Sequence, residues 1–225
     1  MLGYYLFFLL VPMVLGLVVQ SWLKSTFTRN AKIAVGSGLS GAEVARRILD
    51  RHGLSDVPVV PSNASALSDH YDPRKRTVSL SRPVFEGRSV AATAVAAHEV
   101  GHAIQHATGY APMKARTAIW PLAAFSSQTW IYFLLAGFFI TNLSGTLFTI
   151  ALVLYAFAVL FQIATLPVEF NASHRAKEQV AALGLVTPAE QEGVSKTLTA
   201  AAMTYVAGAL AALLQLLYLF LLARD

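Results

Sequence analysis

The chain has 225 residues, of which 56% are hydrophobic and only 13% are charged. A soluble globular domain carries about 25% charged residues, so this composition argues against a soluble enzyme and predicts a membrane protein. The net charge of +5 comes without interleaved basic and aromatic residues, so no nucleic acid is expected as a partner, and the absence of cysteine excludes disulfides and thiolate metal sites.

Uncharged stretches predict four transmembrane helices. Charged side chains are absent from residues 2–23, 117–168 and 197–223. A bilayer core needs about 20 apolar residues per helix, so the middle stretch holds two helices, divided at the turn-like sequence TNLSGT. The first stretch has no basic start and is too long for the apolar part of a signal peptide, so we expect a retained helix. The predicted spans are residues 2–23, 120–140, 147–166 and 201–222.

Basic residues indicate which side of the membrane each loop occupies. Thirteen of the 17 lysines and arginines lie between Lys24 and Arg116, and three more lie between Arg175 and Lys196. The positive-inside rule therefore places residues 24–118 and 168–199 in the cytoplasm, with both termini outside.

The segment after the first span is predicted to contain a helix followed by short strands. SGLSGAEVARRILDRHG has Ser40 and Glu43 at the spacing of a capping box and Gly53 at its end. VPVV, residues 57–60, predicts a strand, and LSDHYDPRKRTVSLS, residues 67–81, predicts two strands around a turn. The second of these strands, TVSLS, either offers a free edge to an extended peptide or belongs to a purely structural hairpin.

The next element, GRSVAATAVAAHEVGHAIQHATGYAP, is predicted to be a helix of about twenty residues. Ser89 is suited to cap its start, and Gly109 and Pro112 mark its end. Further along, Pro167 begins or kinks a helix that carries VEFNASHRAKEQVAAL. TPAE, residues 187–190, starts a last helix that runs on into the fourth span.

The pentapeptide His98-Glu99-Val100-Gly101-His102 matches H-E-x-x-H. On a helix, residues four apart share a face with their Cβ atoms about 6 Å apart, so both imidazoles reach one zinc ion at about 2.1 Å. Glu99 points elsewhere around the helix and can act as a general base toward water at the metal. Small neighbours such as Gly101 allow another element to approach closely. The alternative is a solvated helix face with two surface histidines.

Glu169 is predicted as the third ligand, because a catalytic zinc site has three protein ligands and one open position. No further histidine follows the motif at the metzincin spacing. Glu169 is the only acidic residue between Glu99 and Glu178, and two intervening spans acting as a hairpin return it to the face of the motif helix. The alternative is an ordinary glutamate in the first turn of a helix.

Taken together, these segments resemble the YugP-like neutral zinc metallopeptidases, membrane relatives of the HtpX and CaaX prenyl protease group. The resemblance rests on the N-terminal span, DHYDPRKRTVSLS, GRSVAATAVAAHEVGHAIQH, two spans and LPVEFNASHRA, which is nearly the whole chain. It implies one zinc ion per chain on His98, His102 and Glu169, with Glu99 as general base. Where the gluzincin pattern E-x-x-x-D has an Asp that orients a ligand histidine, this chain has Ser173, which accepts the bond without negative charge.

Other polar residues are candidates for supporting roles. His106, one turn beyond His102, either lies behind the ligands or is a polar residue at the end of the helix. A zinc peptidase also needs a group that stabilises the developing oxyanion. The candidates for that group are His70, Tyr71, His174 and Arg175.

The sequence therefore predicts a mainly α integral membrane protein with about four transmembrane helices and a small α+β zincin-like catalytic domain that carries a short β-hairpin. The motif helix belongs to segment 24–118, and the third ligand to segment 168–200. The predicted segments are 2–23 (transmembrane), 24–118 (catalytic), 119–167 (two transmembrane helices), 168–200 (helical) and 201–222 (transmembrane).

The expected function is that of a multi-pass zinc metalloendopeptidase in a bacterial plasma membrane, with its site on the cytosolic side. Its expected partners are the lipid bilayer and a peptide or protein substrate, mainly membrane or membrane-associated proteins. One alternative is an inactive scaffold with a structural metal site, which a fourth ligand such as His106 would favour. Another is a site-2-type intramembrane protease, which requires the motif inside a span and an Asp in a later one.

Overall fold

The computed structural model describes residues 2–62 and 68–222 and is mainly helical in those ranges. The helices are α1 (Leu2–Asn30), α2 (Gly41–Arg51), α3 (Arg82–Phe85), α4 (Val90–Ala107), α5 (Ala111–Phe139), α6 (Ser144–Ala182) and α7 (Pro188–Leu222). The strands are β1 (Val59–Ser62), β2 (His70–Asp72) and β3 (Thr77–Ser81). Leu67, where the hairpin was predicted to begin, lies outside the described residues.

Four helices in the described ranges are long and apolar enough to cross a membrane, namely α1, α5, α6 and α7. They expose large apolar side chains, for example Leu17, Tyr132 and Phe139, which is 85% exposed. Apolar surface of this extent suits lipid better than water. Together with the small sheet, these helices confirm the predicted fold class of a mainly α membrane protein with a small α+β part.

One compact unit contains most of the apolar helical residues. It comprises the described parts of Met1–Val19, Ala111–Pro167 and Thr204–Asp225. Inside it, the rings of Trp130 and Tyr155 lie 4.6 Å apart, so α5 and α6 pack through aromatic side chains. A 3-10 turn at Thr141–Leu143 separates these two helices at the predicted turn.

The second compact unit consists of the described parts of Gln20–Tyr110 and of Val168–Met203. It contains α2, α3, α4 and the sheet, together with parts of α1, α6 and α7. Its core includes apolar side chains from α2, β3 and α4 that are fully buried, such as Ile48, Leu80 and Val100. Burial of these side chains is the main force that holds the small elements together.

Helix caps fix the starts of two helices as predicted. Ser40 and Glu43 form both hydrogen bonds of a capping box at α2. At α7, the Thr187 N–H donates to the Glu190 carboxylate, and the Glu190 N–H donates to the Thr187 hydroxyl. The predicted helix at residues 187–190 is therefore confirmed, and it continues to Leu222.

The sheet has the order β1-β3-β2. β2 pairs antiparallel with β3, which confirms the hairpin, and β1 pairs parallel with β3 from the other side. The suggestion that TVSLS offers a free edge is therefore wrong, because both sides of β3 are already paired. β1 begins at Val59, two residues later than the sequence pattern indicated.

Two prolines that were predicted to mark helix boundaries lie inside helices. Pro167 is inside the single helix α6, so no new helix begins there, and of its two predicted roles only a kink within the helix is left. Pro112 is the second residue of α5 and does not end α4. Proline is tolerated in a first turn, where its missing N–H has no helical acceptor anyway. Gly109, with φ of +64°, follows the end of α4 as predicted.

Candidate metal centre

Helix α4 carries the H-E-x-x-H residues through the second compact unit. Its first turn is capped by Ser89, whose Oγ accepts a hydrogen bond from the Ala92 N–H at 3.2 Å. Most side chains between the two ends of the helix are buried, including those of Glu99 and His102. Buried polar groups require partners, so the surroundings of these residues define the site.

The backbone of α6 lies directly against Gly101 of α4. A β-carbon added to Gly101 would lie 2.7 Å from the carbonyl oxygen of Ala172, closer than such atoms can approach. The expectation that a small residue admits a neighbouring element is therefore confirmed. This contact brings Glu169, three residues before Ala172, to the histidines of α4.

His98, His102 and Glu169 form one cluster, with a ligand atom of each lying within 4.8 Å of the others. The Glu169 Oε2 atom lies 3.2 Å from His98 Nε2 and 3.5 Å from His102 Nε2. Two imidazole nitrogens and one carboxylate oxygen, without sulfur, are a donor set that suits zinc. The side chain of His98 is 13% exposed, that of His102 10% and that of Glu169 3%, so water has limited access to them. The three residues can hold one metal ion.

A chain of hydrogen bonds orients the His102 ring. Arg175 Nε–H, which can only be a donor, donates a hydrogen bond to the Asn171 Oδ1 atom at 2.8 Å. Gln105 Nε2 donates to this same oxygen at 3.0 Å and to the Val168 carbonyl at 2.8 Å. The Gln105 amide therefore turns its oxygen toward His102 Nδ1, 3.0 Å away. Because that oxygen only accepts, the proton resides on Nδ1 and the Nε2 lone pair faces the cluster.

The His98 ring is held by a different neighbour. Ser173 Oγ lies 3.2 Å from His98 Nδ1, on the side of the ring away from Glu169. A hydroxyl can accept the Nδ1 proton, which again leaves Nε2 for a metal. Both histidines of the cluster are therefore oriented by neutral groups.

Glu99 lies next to these ligands in the chain and is 7% exposed. Burial raises the pKa of the Glu99 carboxyl, while positive charge on His98 and His102 would act in the opposite direction. A carboxylate in such a position is a stronger base than one in water. It is therefore suited to proton transfer beside a metal.

The remaining candidates lie in varied surroundings. His106 Nδ1 is 2.8 Å from the Tyr71 hydroxyl, and the metal cluster of the described residues does not include it. His174 is 67% exposed and pairs with Glu178. His70 is exposed, with Nδ1 2.9 Å from the Ser68 carbonyl oxygen. Arg175 forms part of the network behind His102 and lies over the Tyr110 ring.

Sequence reasoning did not identify Gln105 or Asn171 as part of the site. Gln105 is three residues after His102 and therefore shares its helix face, which was the available signal. Its complete burial depends on α6, which belongs to a distant part of the chain. Asn171 could be recognised only once the two helices had been placed together.

Comparisons with known proteins give the family of the chain. The family model described as "Putative neutral zinc metallopeptidase" matches residues 5–224. The chain is also 45% identical over 224 residues to "Putative membrane protease YugP" of Bacillus subtilis (strain 168), which covers 98% of each chain. No solved structure matches. With nearly all of its length matched and three suitable ligands assembled, this chain belongs to the neutral zinc metallopeptidase family.

Proposed function

We propose that the chain is a membrane zinc metalloendopeptidase in which His98, His102 and Glu169 bind one zinc ion. The observation that carries the proposal is the convergence of these three side chains beside a buried Glu99. Three ligands from two helices leave a fourth metal position for water or substrate. A structural zinc site would use a fourth protein ligand, and the cluster formed by the described residues has three members.

The zinc ion, when bound, supplies Lewis acidity that polarises a peptide carbonyl and makes water more acidic. Glu99 accepts a proton from the water that attacks the carbonyl carbon. As the C–N bond breaks, Glu99 returns that proton to the leaving amine. Gln105 and Ser173 hold the imidazole rings in place, so the ligands need little reorganisation during the reaction.

The substrates we propose are membrane or membrane-associated proteins, cleaved on the cytosolic side of the membrane. The four long apolar helices support a membrane location. The concentration of basic residues in segments 24–118 and 168–199 supports the cytosolic side. In α6, Glu169 comes directly after an apolar stretch of the sequence. A site next to this stretch would suit a substrate that lies close to the bilayer.

The two alternatives have less support. A site-2-type protease needs its motif within a span, and α4 is not among the four candidate spans of the described residues. A scaffold with a closed metal site would use His106 as fourth ligand, but the cluster formed by the described residues contains only His98, His102 and Glu169.

The test combines metal analysis with peptide cleavage. Purified wild-type protein should contain about one zinc ion per chain, and Glu169→Ala should lose most of it. Glu99→Gln should keep the metal but lose cleavage of a denatured protein substrate by at least about a hundredfold. A Glu99→Gln protein as active as the wild type would reject this mechanism. A folded wild-type protein without zinc would reject the metal site itself.

A further inference from the structure

A cavity of about 250 Å³ lies beside helix α4 and has no part in the metal centre. Its lining includes three polar side chains, Tyr71, Arg76 and His106, and apolar residues that include Leu54, Val57 and Ala103. A water molecule occupies about 30 Å³ in the liquid, so this space is large enough for an amino-acid side chain.

The polar wall of this cavity carries groups suited to a carboxylate. The Tyr71 hydroxyl lies 2.8 Å from His106 Nδ1. Burial raises the pKa of the Tyr71 phenol, and the positive charge of Arg76 acts in the opposite direction. The hydroxyl therefore stays protonated at neutral pH and can donate a hydrogen bond.

Arg76 supplies the positive charge of the cavity. Its Nη1 atom lies 3.2 Å from Asp56 Oδ2, and both side chains are more than half exposed. An exposed ion pair contributes little free energy, so a ligand carboxylate can displace it. The guanidinium has five N–H donors, more than its contacts with Asp56 and Tyr71 use.

The backbone at Arg76 gives a second reason to assign it a role. Its φ is +51°, and it is the one non-glycine residue with a positive φ in ranges 2–62 and 68–222. Glycine and asparagine adopt this conformation more readily than arginine. An arginine at this position therefore contributes something that the turn between β2 and β3 does not require.

The cavity lies at a distance from Glu99 that suits a neighbouring subsite. Ala103 is four residues after Glu99, so both share one face of α4 and are about 6 Å apart along the helix axis. An extended peptide advances about 3.3 Å per residue. A substrate running along this face would thus place a side chain in the cavity about two residues from the reacting carbonyl.

We propose that this cavity is a specificity subsite for an acidic side chain, an Asp or Glu within about two residues of the cleaved bond. Arg76 provides the charge, and Tyr71 and His106 provide the polar contacts. The proposal rests on the proposed peptidase function and names its substrate class.

The test uses full-length, zinc-loaded protein in detergent and peptides that differ only by a single Glu, Gln or Lys at successive positions. Mass spectrometry locates each cleaved bond. We expect kcat/KM to be about tenfold higher for Glu than for Gln at one position near that bond. Arg76→Gln should abolish this preference, and Arg76→Glu should shift it toward Lys. Arg74→Gln is the matched control, because it removes the same charge from the same turn outside the cavity lining.

Binding of the same peptides to the Glu99→Gln protein separates the subsite from the chemistry. A Glu preference in Kd that Arg76→Gln abolishes, without any cleavage by the wild type, would support the subsite and refute the peptidase. Cleavage without a Glu preference would overturn the subsite alone, as would a preference that survives Arg76→Gln. Absence of both binding and cleavage would overturn both proposals.

Discussion

Ser173 lies one helix turn after Glu169 on α6, and its Oγ atom is 3.2 Å from Nδ1 of His98. One helix therefore provides both the carboxylate and the group that orients one imidazole of the proposed metal site. The orienting group is a hydroxyl, so the imidazole receives no electrostatic support from it. A carboxylate in this place would make the imidazole a stronger donor to the metal.

We therefore expect Ser173→Asp to bind zinc more tightly than the wild type, by about tenfold. Ser173→Asn should not show this gain, because asparagine has nearly the same size as aspartate but no charge. Ser173→Ala should bind zinc about tenfold more weakly, because the ring loses its partner. Competition with a fluorescent chelator measures all three affinities. Equal affinities in the Asp and Asn variants would contradict an electrostatic origin.

Gln105 connects the two helices of the metal centre, and we expect Gln105→Leu to disrupt it. Leucine has a similar volume but removes the acceptor of the buried His102 Nδ1–H and the hydrogen bonds to the Val168 carbonyl and Asn171. Each unsatisfied buried group costs about 1–3 kcal/mol in the free energy of unfolding. Zinc affinity should fall about 10–100-fold, because the His102 ring is no longer held.

The control for Gln105 is Gln179→Leu on α6, where the Oε1 atom has no hydrogen-bond partner in the described structure. This variant should keep the zinc affinity of the wild type. Chelator competition measures affinity, and denaturant unfolding measures stability. If both leucine variants lowered zinc affinity equally, Gln105 would have no specific role in orienting His102.

Local signals allowed much of the fold to be predicted from the sequence. A capping box needs only residues three apart, which is why the starts of α2 and α7 could be predicted. The H-E-x-x-H spacing is equally local, and Glu169 could be predicted because few acidic residues compete with it.

Other features depend on contacts between distant parts of the chain, which local residue patterns do not reveal. The parallel pairing of β1 with β3 joins residues about twenty positions apart, and it makes β3 a central strand. The bonds from Gln105 to Val168 and Asn171 cross between two helices. Residue patterns show that Gln105 is polar and helical, but they do not indicate that α6 buries it completely.

The contact between Gly101 and Ala172 predicts the effect of Gly101→Ala. The added methyl group would lie 2.7 Å from a backbone oxygen, which cannot move as easily as a flexible side chain. Such overpacking costs about 1–3 kcal/mol, more than the gain of about 1 kcal/mol in helix propensity. We expect lower stability and weaker zinc binding, because separation of the helices displaces Glu169 from the histidines.

Gly208→Ala in α7 is the matched control, since no described atom beyond the adjoining residues and the backbone of its own helix turn lies within 4 Å of a β-carbon added there. That substitution should leave zinc binding unchanged and keep or increase stability. Thermal unfolding and zinc titration of both variants provide the comparison. Normal zinc affinity in Gly101→Ala would show that the close approach of the two helices is not required for the metal centre.

Removal of zinc should destabilise the protein through Glu169. A ligand that binds only the folded state stabilises it by about 4 kcal/mol at a free concentration of 1,000 times Kd. Chelation should therefore lower the Tm of the wild type by several degrees, and readdition of zinc should restore it. In Glu169→Gln, zinc should have little effect on Tm, since a neutral amide is a poor zinc ligand.

Glu178→Gln is the control, because Glu178 is 57% exposed on the same helix and pairs with His174, outside the cluster. Its Tm should respond to zinc as that of the wild type does. If zinc raised the Tm of Glu169→Gln as much as that of the wild type, Glu169 would not be a zinc ligand, and the third ligand would have to be another residue.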